Sequence, residues 1–302
     1  MSTGTSTVTS EWSGEAVRVG LVGAGPWARG VHARVLAAGP ETRLTGVWAR
    51  RPEAARETAA PYGAAVAASF EELLDGCEAV AFAVPPAVQA ELALRAARAG
   101  KALLLEKPLG IDLESARRLA DAVAEAGVVS QVVLSNRYHP VVRQFLATAR
   151  TLDVSGARAS MLSGAFLGGP FATPWRLEHG ALLDLGPHVL DLLDAAVGPV
   201  VGIRGTGDPR RWYELTCEHA NGAVSQASLS GSVNVPEGVT RVELYGARPP
   251  LVLDGAGLDH EEAWPVLRRE FATAVRTGVP RELDARRGLR LQTLLDQALG
   301  QR

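Results

Sequence analysis

Lys107, Asp184 and His188 are the side chains of this 302-residue chain whose types and positions suit proton and hydride chemistry. Lys107 follows the apolar run Leu103-Leu104-Leu105 in Leu103-Leu104-Leu105-Glu106-Lys107-Pro108, so a strand end delivers a cation while Pro108 fixes the chain direction. An ammonium there can hydrogen-bond a substrate oxygen and stabilise developing alkoxide. The plain alternative is a surface lysine neutralised by Glu106. Asp184 and His188, in Leu183-Asp184-Leu185-Gly186-Pro187-His188, share a face if the segment is helical. Pro187 cannot donate to Leu183, so the helix must begin or bend nearby. An imidazole titrating near neutrality can take or return a carbinol proton, and the carboxylate can orient it or hold a substrate hydroxyl. An interior hydrogen-bonded contact without chemistry is the other reading of the pair. Asp191 and Asp194 are read as helix-face residues with no chemical task.

The turn Gly23-Ala24-Gly25-Pro26-Trp27-Ala28 supplies what a dinucleotide needs. The first glycine allows a tight turn, the second lets backbone approach a pyrophosphate, and small Ala28 lets helix and strand pack closely. At the end of the next strand, where a carboxylate would accept from a ribose 2'-hydroxyl, the chain has Ala49-Arg50-Arg51. Two guanidiniums in that place suit a 2'-phosphate, which favours NADP with NAD as the second possibility. A solvated pair of surface arginines is the alternative.

These residues need a frame. From Val17 to about Leu134, strand-like runs alternate with Ala-rich helical segments, the grammar of a doubly wound parallel sheet with helices on both faces. The pattern predicts strands at Val17–Val22, Leu44–Trp48, Ala64–Ala67, Ala79–Val84, Ala102–Leu105 and Val128–Leu134. Helices are expected near Trp27–Ala38, Pro52–Tyr62, Phe70–Leu74, Pro86–Ala99 and Leu113–Ala126, the last capped by Asp112. After Asn136 strands succeed one another through turns, at Ala157–Ser163, Trp212–Cys217, Ala223–Ser230 and Arg241–Tyr245. That is the pattern of an open, mostly antiparallel sheet. Helices around Leu182–Ala196, Glu261–Arg276 and Ala285–Leu299 flank it. The expected organisation is a disordered tail over 1–16, a Rossmann domain over 17–135 and a substrate and oligomerisation domain over 136–302.

With 47% hydrophobic and 21% charged residues the chain can bury a large core, and a net charge of -2 without a basic block excludes the electrostatic footprint of nucleic-acid binding. Cys77 and Cys217 stand alone, outside any zinc or disulfide spacing, so no metal is expected and a cytoplasmic setting is read. The polar start lacks an apolar signal run, and the longest apolar-looking stretch, 181–203, is interrupted by Asp184, His188, Asp191 and Asp194, so no membrane span is expected.

Taken together, Gly23-Ala24-Gly25, Glu106-Lys107-Pro108, Trp175-Arg176 and Asp184-Leu185-Gly186-Pro187-His188 resemble the glucose-fructose oxidoreductase/inositol dehydrogenase/MocA-type family, in order and approximate spacing. The resemblance implies a carbonyl/alcohol interconversion in which Lys107 hydrogen-bonds the reacting oxygen, His188 is the acid/base and Asp184 binds or orients the substrate. It also places Pro85, Pro86 and Glu106 near the nicotinamide ribose, and Trp175 and Arg176 where cofactor and substrate meet. Two departures stand out. Glu178-His179-Gly180 replaces a glycine run, which leaves His179 as a further substrate contact or a solvated loop residue, and the chain is short for the family. The resulting expectation is an NADP-preferring oxidoreductase of a sugar, cyclitol or related polyol, a homodimer or homotetramer through its outer sheet face. The alternatives are a reductase of another carbonyl or diol in secondary metabolism and a non-catalytic dinucleotide-binding regulator.

Overall fold

A computed structural model describes residues 12–256 and 258–300. Its first layer is a parallel sheet of β1 (Val17–Val22), β2 (Thr42–Trp48), β3 (Ala65–Val66), β4 (Ala79–Phe82), β5 (Ala102–Leu105) and β6 (Ser130–Val132), ordered β3-β2-β1-β4-β5-β6. β4 and β5 are buried at every position, as strands covered on both faces must be, and hence read as unbroken apolar runs. The connecting helices are α1 (Arg34–Ala37), α2 (Pro52–Ala59), α3 (Phe70–Asp75), α4 (Pro86–Arg98) and α5 (Leu113–Ala126). Their starts follow from local chemistry: Pro52 and Pro86 open α2 and α4, where a missing N–H costs nothing. Ser69 accepts from Glu72 N–H, and Asp112 and Ser115 cap one another reciprocally. The strand order reverses between β1 and β4, so the crevice lies at the carboxyl ends of these strands.

The helix expected over Trp27–Ala38 is not uniform: Ala28–Ala33 is a π-helical turn continuing into α1. The strand expected at Val128–Leu134 shortens to β6, because Leu134–Tyr138 turns away through a 3₁₀ helix over Ser135–Tyr138.

α6 (Pro140–Ala149), unanticipated from sequence, leads to the second sheet. Its strands are β7 (Val154–Leu162), β8 (Val200–Asp208), β9 (Trp212–His219), β10 (Val224–Ser230), β11 (Val239–Gly246) and β12 (Leu251–Asp254), ordered β12-β11-β7-β10-β9-β8. All described pairs are antiparallel except β7–β10. Between β7 and β8 the chain forms α7 (Pro174–Asp184) and α8 (Gly186–Ala196), which lie on this sheet. α9 (Ala263–Thr277) and α10 (Ala285–Leu299) then return to the first layer, α9 against β1 and α10 against α5 and β6.

Asp191 and Asp194 lie on α8 as expected, and they carry an ion-pair cluster that the sequence does not show. Asp191 is buried and paired with Arg137 and Arg287, and Arg287 also binds Asp194, so the cluster ties α8 to α10 and to the turn after β6. In the tail expected over 1–16, residues 1–11 lie outside the described ones, while the Glu15 and Ala16 carbonyls accept from Arg276. Among the described residues no helix is long and apolar enough to cross a membrane.

Candidate active site

The glycine turn closes against the end of β4. Gly23 has φ +119°, and a Cβ there would stand 2.4 Å from the Ala83 carbonyl oxygen, so no other residue fits. Nothing lies within 4 Å of where a Gly25 Cβ would be, which leaves backbone open toward the crevice. A cavity of about 680 Å³ opens there, lined by Gly25, Pro26, Trp27, Arg50, Arg51 and Lys107 among others. Pro85, Pro86, Glu106, Trp175 and Arg176 line it as well, while Gly23 and buried Ala24 lie behind, shaping the turn. Carboxyl ends of β1, β2, β4 and β5 thus converge on one space with bare backbone and cationic side chains, a fit for a dinucleotide phosphate chain. Among the described residues, no cluster of three or more His, Cys, Asp or Glu side chains suits a metal.

Beneath this cavity Glu106 is held by groups the sequence does not reveal. Its Oε1 accepts from Trp27 Nε1 at 2.6 Å and lies 2.7 Å from His32 Nε2, and Oε2 accepts from the Lys107 N–H. Burial alone would raise its pKa, but the His32 contact and the Lys107 charge hold it below the usual carboxylate range. Buried Gln89 accepts from the Glu106 N–H and donates to its carbonyl, both at 2.8 Å, so one amide fixes the strand end. His32 sits in the π-helical turn, and a π turn carries no sequence signature.

Lys107 is therefore not neutralised by Glu106. Its Nζ donates to Asp184 Oδ1 at 2.7 Å and to the Asp184 carbonyl at 3.0 Å, while Arg176 Nε reaches Asp184 Oδ2 at 3.1 Å. Burial opposes ionisation of Asp184, but Lys107 and Arg176 overcome it and hold the carboxyl down to about 2. Arg176 also stacks over Trp175, with its guanidinium carbon 4.8 Å from the ring centre.

Asp184 ends α7 and His188 lies in the first turn of α8, the two helices meeting at Leu185 as the expected start near Pro187 requires. Gly180, at φ 75° and ψ -168°, breaks α7, with a Cβ position 2.1 Å from the Pro209 carbonyl oxygen. Leu185, between α7 and α8, keeps helical dihedrals, donating to the Ala181 carbonyl and accepting from the Val189 N–H, and Pro187 lies in the first turn of α8, where its missing N–H has no helical partner to lose. Both Asp184 oxygens go to cations, so among the described residues the carboxylate anchors Lys107 and makes no hydrogen bond to His188. His188 is half-buried, its enclosed Nδ1 has no partner among the described residues, and desolvation and the Lys107 cation lower its pKa to about 3. It lines a second cavity, of about 570 Å³, with Asn136, Met161, Ser163, Glu237 and His260. None of these five carries a motif: Asn136 and His260 sit in 3₁₀ turns, Met161 and Ser163 at the end of β7, and Glu237 on a loop. His179 lies 4.0 Å from Glu178 and lines neither cavity.

The model of an oxidoreductase family with an NAD-binding Rossmann fold matches residues 17–134. A UDP-N-acetylglucosamine 3-dehydrogenase of Acidithiobacillus ferrooxidans is 30% identical over 235 residues, covering 76% of this chain and 71% of that enzyme. A dTDP-3,4-didehydro-2,6-dideoxy-alpha-D-glucose 3-reductase of Streptomyces violaceoruber is 32% identical over 202 residues, or 63% of this chain. The chain matches 57% of that reductase and 41% and 40% of two further curated relatives, about half of their length. In fold, the chain superposes on GenD2 from gentamicin A biosynthesis, solved in complex with NAD, with a TM-score of 0.87, 24% identity and coverage of 96% and 95% of the two chains.

Proposed function

The chain belongs to the Gfo/Idh/MocA oxidoreductase family, and from that premise we propose that it interconverts a hydroxyl and a ketone on a sugar, cyclitol or related polyol, with NADP as the preferred cofactor. One observation carries this reading: Lys107 faces the dinucleotide cavity while bonded at 2.7 Å to Asp184, four residues before the His188 that lines the second cavity. A bound nicotinamide supplies the hydride acceptor or donor, and the remaining work falls to the chain's own groups.

Gly23, Ala24, Gly25, Pro26 and Trp27 shape the phosphate site, and Arg50 and Arg51, which line the same cavity, receive the 2'-phosphate. Pro85, Pro86, Glu106, Trp175 and Arg176 border the nicotinamide end. Two Lys107 donors are used by Asp184, leaving the third for the reacting oxygen, where it stabilises negative charge as the carbon–oxygen bond changes order. His188, neutral at physiological pH, is placed to take the hydroxyl proton during oxidation.

Assembly into a dimer or tetramer uses the outer face of the second sheet, where Val201, Trp212, Val224, Tyr245 and Val252 are exposed on successive strands. Sedimentation velocity of the wild type and Trp212→Glu tests it, and a wild-type monomer would refute it. The activity is tested by following nicotinamide absorbance with NADP(H) and NAD(H) over a panel of sugars, cyclitols, ketones and diols. Turnover on a polyol is the expected result. Dinucleotide binding with no turnover across the panel would favour a regulator.

A further inference from the structure

The two cavities carry opposite charge. The dinucleotide cavity presents Arg50, Arg51, Lys107 and Arg176 against Glu106 and Glu178. The His188 cavity has no lysine or arginine among its described lining residues, and its one formal charge is the exposed carboxylate of Glu237, on the loop before β11. A neighbouring cavity of about 620 Å³ shares Ser163, Glu237 and Gly238 and continues past Asn234 and Leu167 without adding a charge. Glu237 thus stands where two lobes join, and it has no ion-pair partner among the described residues. The histidines on the wall offset it little, since desolvation lowers the pKa of both His188 and His260.

A nucleoside diphosphate placed here would bring negative charges against a lone carboxylate, with no guanidinium or ammonium to receive them. A protonated amine would instead gain a charge-assisted hydrogen bond at a site otherwise lined by hydroxyls, an amide and apolar groups. We propose that the substrate is an amine-bearing sugar or aminocyclitol, free or attached to a further ring, whose ammonium is received by Glu237, and that sugars linked to a nucleoside diphosphate are excluded. This rests on the dehydrogenase reading of the same site and narrows its substrate class.

The test uses the full chain with NADP and NAD and matched pairs: methyl glucosaminide against methyl glucoside, an inosamine against its parent inositol, and UDP-glucose as the anionic competitor. The amine member of each pair should be favoured in kcat/KM by about 10- to 100-fold, mainly through KM, and Glu237→Gln should collapse that ratio. In the wild type, raising the pH through the substrate amine's own pKa should raise KM for the amine member alone. The titratable groups facing it are Glu237, His188 and His260. Preference for UDP-glucose, or an amine-to-hydroxyl ratio unmoved by Glu237→Gln and by pH, would overturn the proposal while leaving Lys107-dependent hydride transfer standing. Absence of hydride transfer from every class would overturn the dehydrogenase reading and this one with it.

Discussion

Lys107 is charged, anchored and short of one partner, a combination set by Asp184. Replacing it with Met keeps bulk but removes the donor for the reacting oxygen, so turnover should fall by roughly 100-fold or more, with dinucleotide affinity little changed. Stopped-flow or steady-state rates together with a cofactor titration check this, and a variant keeping most of its turnover would return Lys107 to a structural role. His188 carries a second prediction, in which burial decides the pH window. Sequence reasoning expects an imidazole titrating near neutrality, so that oxidation slows as pH falls through that range, but desolvation and the Lys107 charge lower it to about 3. The rate should therefore show no His188 limb between about pH 5 and 8, the range in which an unperturbed histidine titrates. In the unfolded chain the same ring takes its proton near 6.5, so stability is complete above about 6.5 and drains away as pH falls toward 3. Between pH 7 and 5 the loss is about 2 kcal/mol at most, and His188→Asn should remove that slope from denaturant midpoints. Residue types at 107, 184 and 188 are legible in the sequence because the motifs are local. Their partners are not, since the Lys107–Asp184 bond spans 77 positions and the Glu106 contacts to Trp27 and His32 span 79 and 74.

The elements that hold these groups are legible where one signal dominates. β5 matches its predicted bounds because a strand buried on both faces is a continuous apolar run, β1 does so with a single exposed Arg18 in an otherwise buried strand, and α5 does so because Asp112 and Gly127 mark both ends. β8 escapes notice because Gly202, Gly205 and Gly207 interrupt its pattern, and α6 because Pro140-Val141-Val142 reads as strand as readily as helix. The break at Gly180 matters most for function. It lies between Arg176 and Asp184, which meet across it, while His188 in α8 lines a different cavity. Gly180→Ala would force a Cβ against the Pro209 carbonyl at positive φ. It should cost about 1–3 kcal/mol in strain alone and loosen the Arg176–Asp184 contact. Thermal unfolding measures the first effect and kcat the second. An unchanged midpoint and an unchanged kcat would mean the break is not fixed by this glycine.

At the scale of the molecule, the change of grammar near Asn136 is visible in the sequence, but the return of the last two helices is not. Arg268 of α9 pairs with buried Glu41 at 2.7 Å, Arg276 reaches Glu78 at 2.7 Å, and Val132 N–H donates to the Leu283 carbonyl, also at 2.7 Å. The first sheet is thereby tied to α9 and to the segment after it, and a ligand seated at its carboxyl edge stabilises that folded arrangement. Occupancy should therefore raise the unfolding temperature with the logarithm of affinity, by mass action on the folded state alone. If Arg50 and Arg51 receive a 2'-phosphate, saturating NADPH should raise the midpoint more than NADH at equal concentration, since loss of one charge-assisted contact weakens binding by about 1.5 to 3 kcal/mol. Arg50→Asp supplies instead the carboxylate that would accept from a free ribose 2'-hydroxyl, so it should reverse the order of the two shifts. Equal shifts in the wild type would mean that neither arginine reads the phosphate, and would leave NAD and NADP as equal partners of the same site.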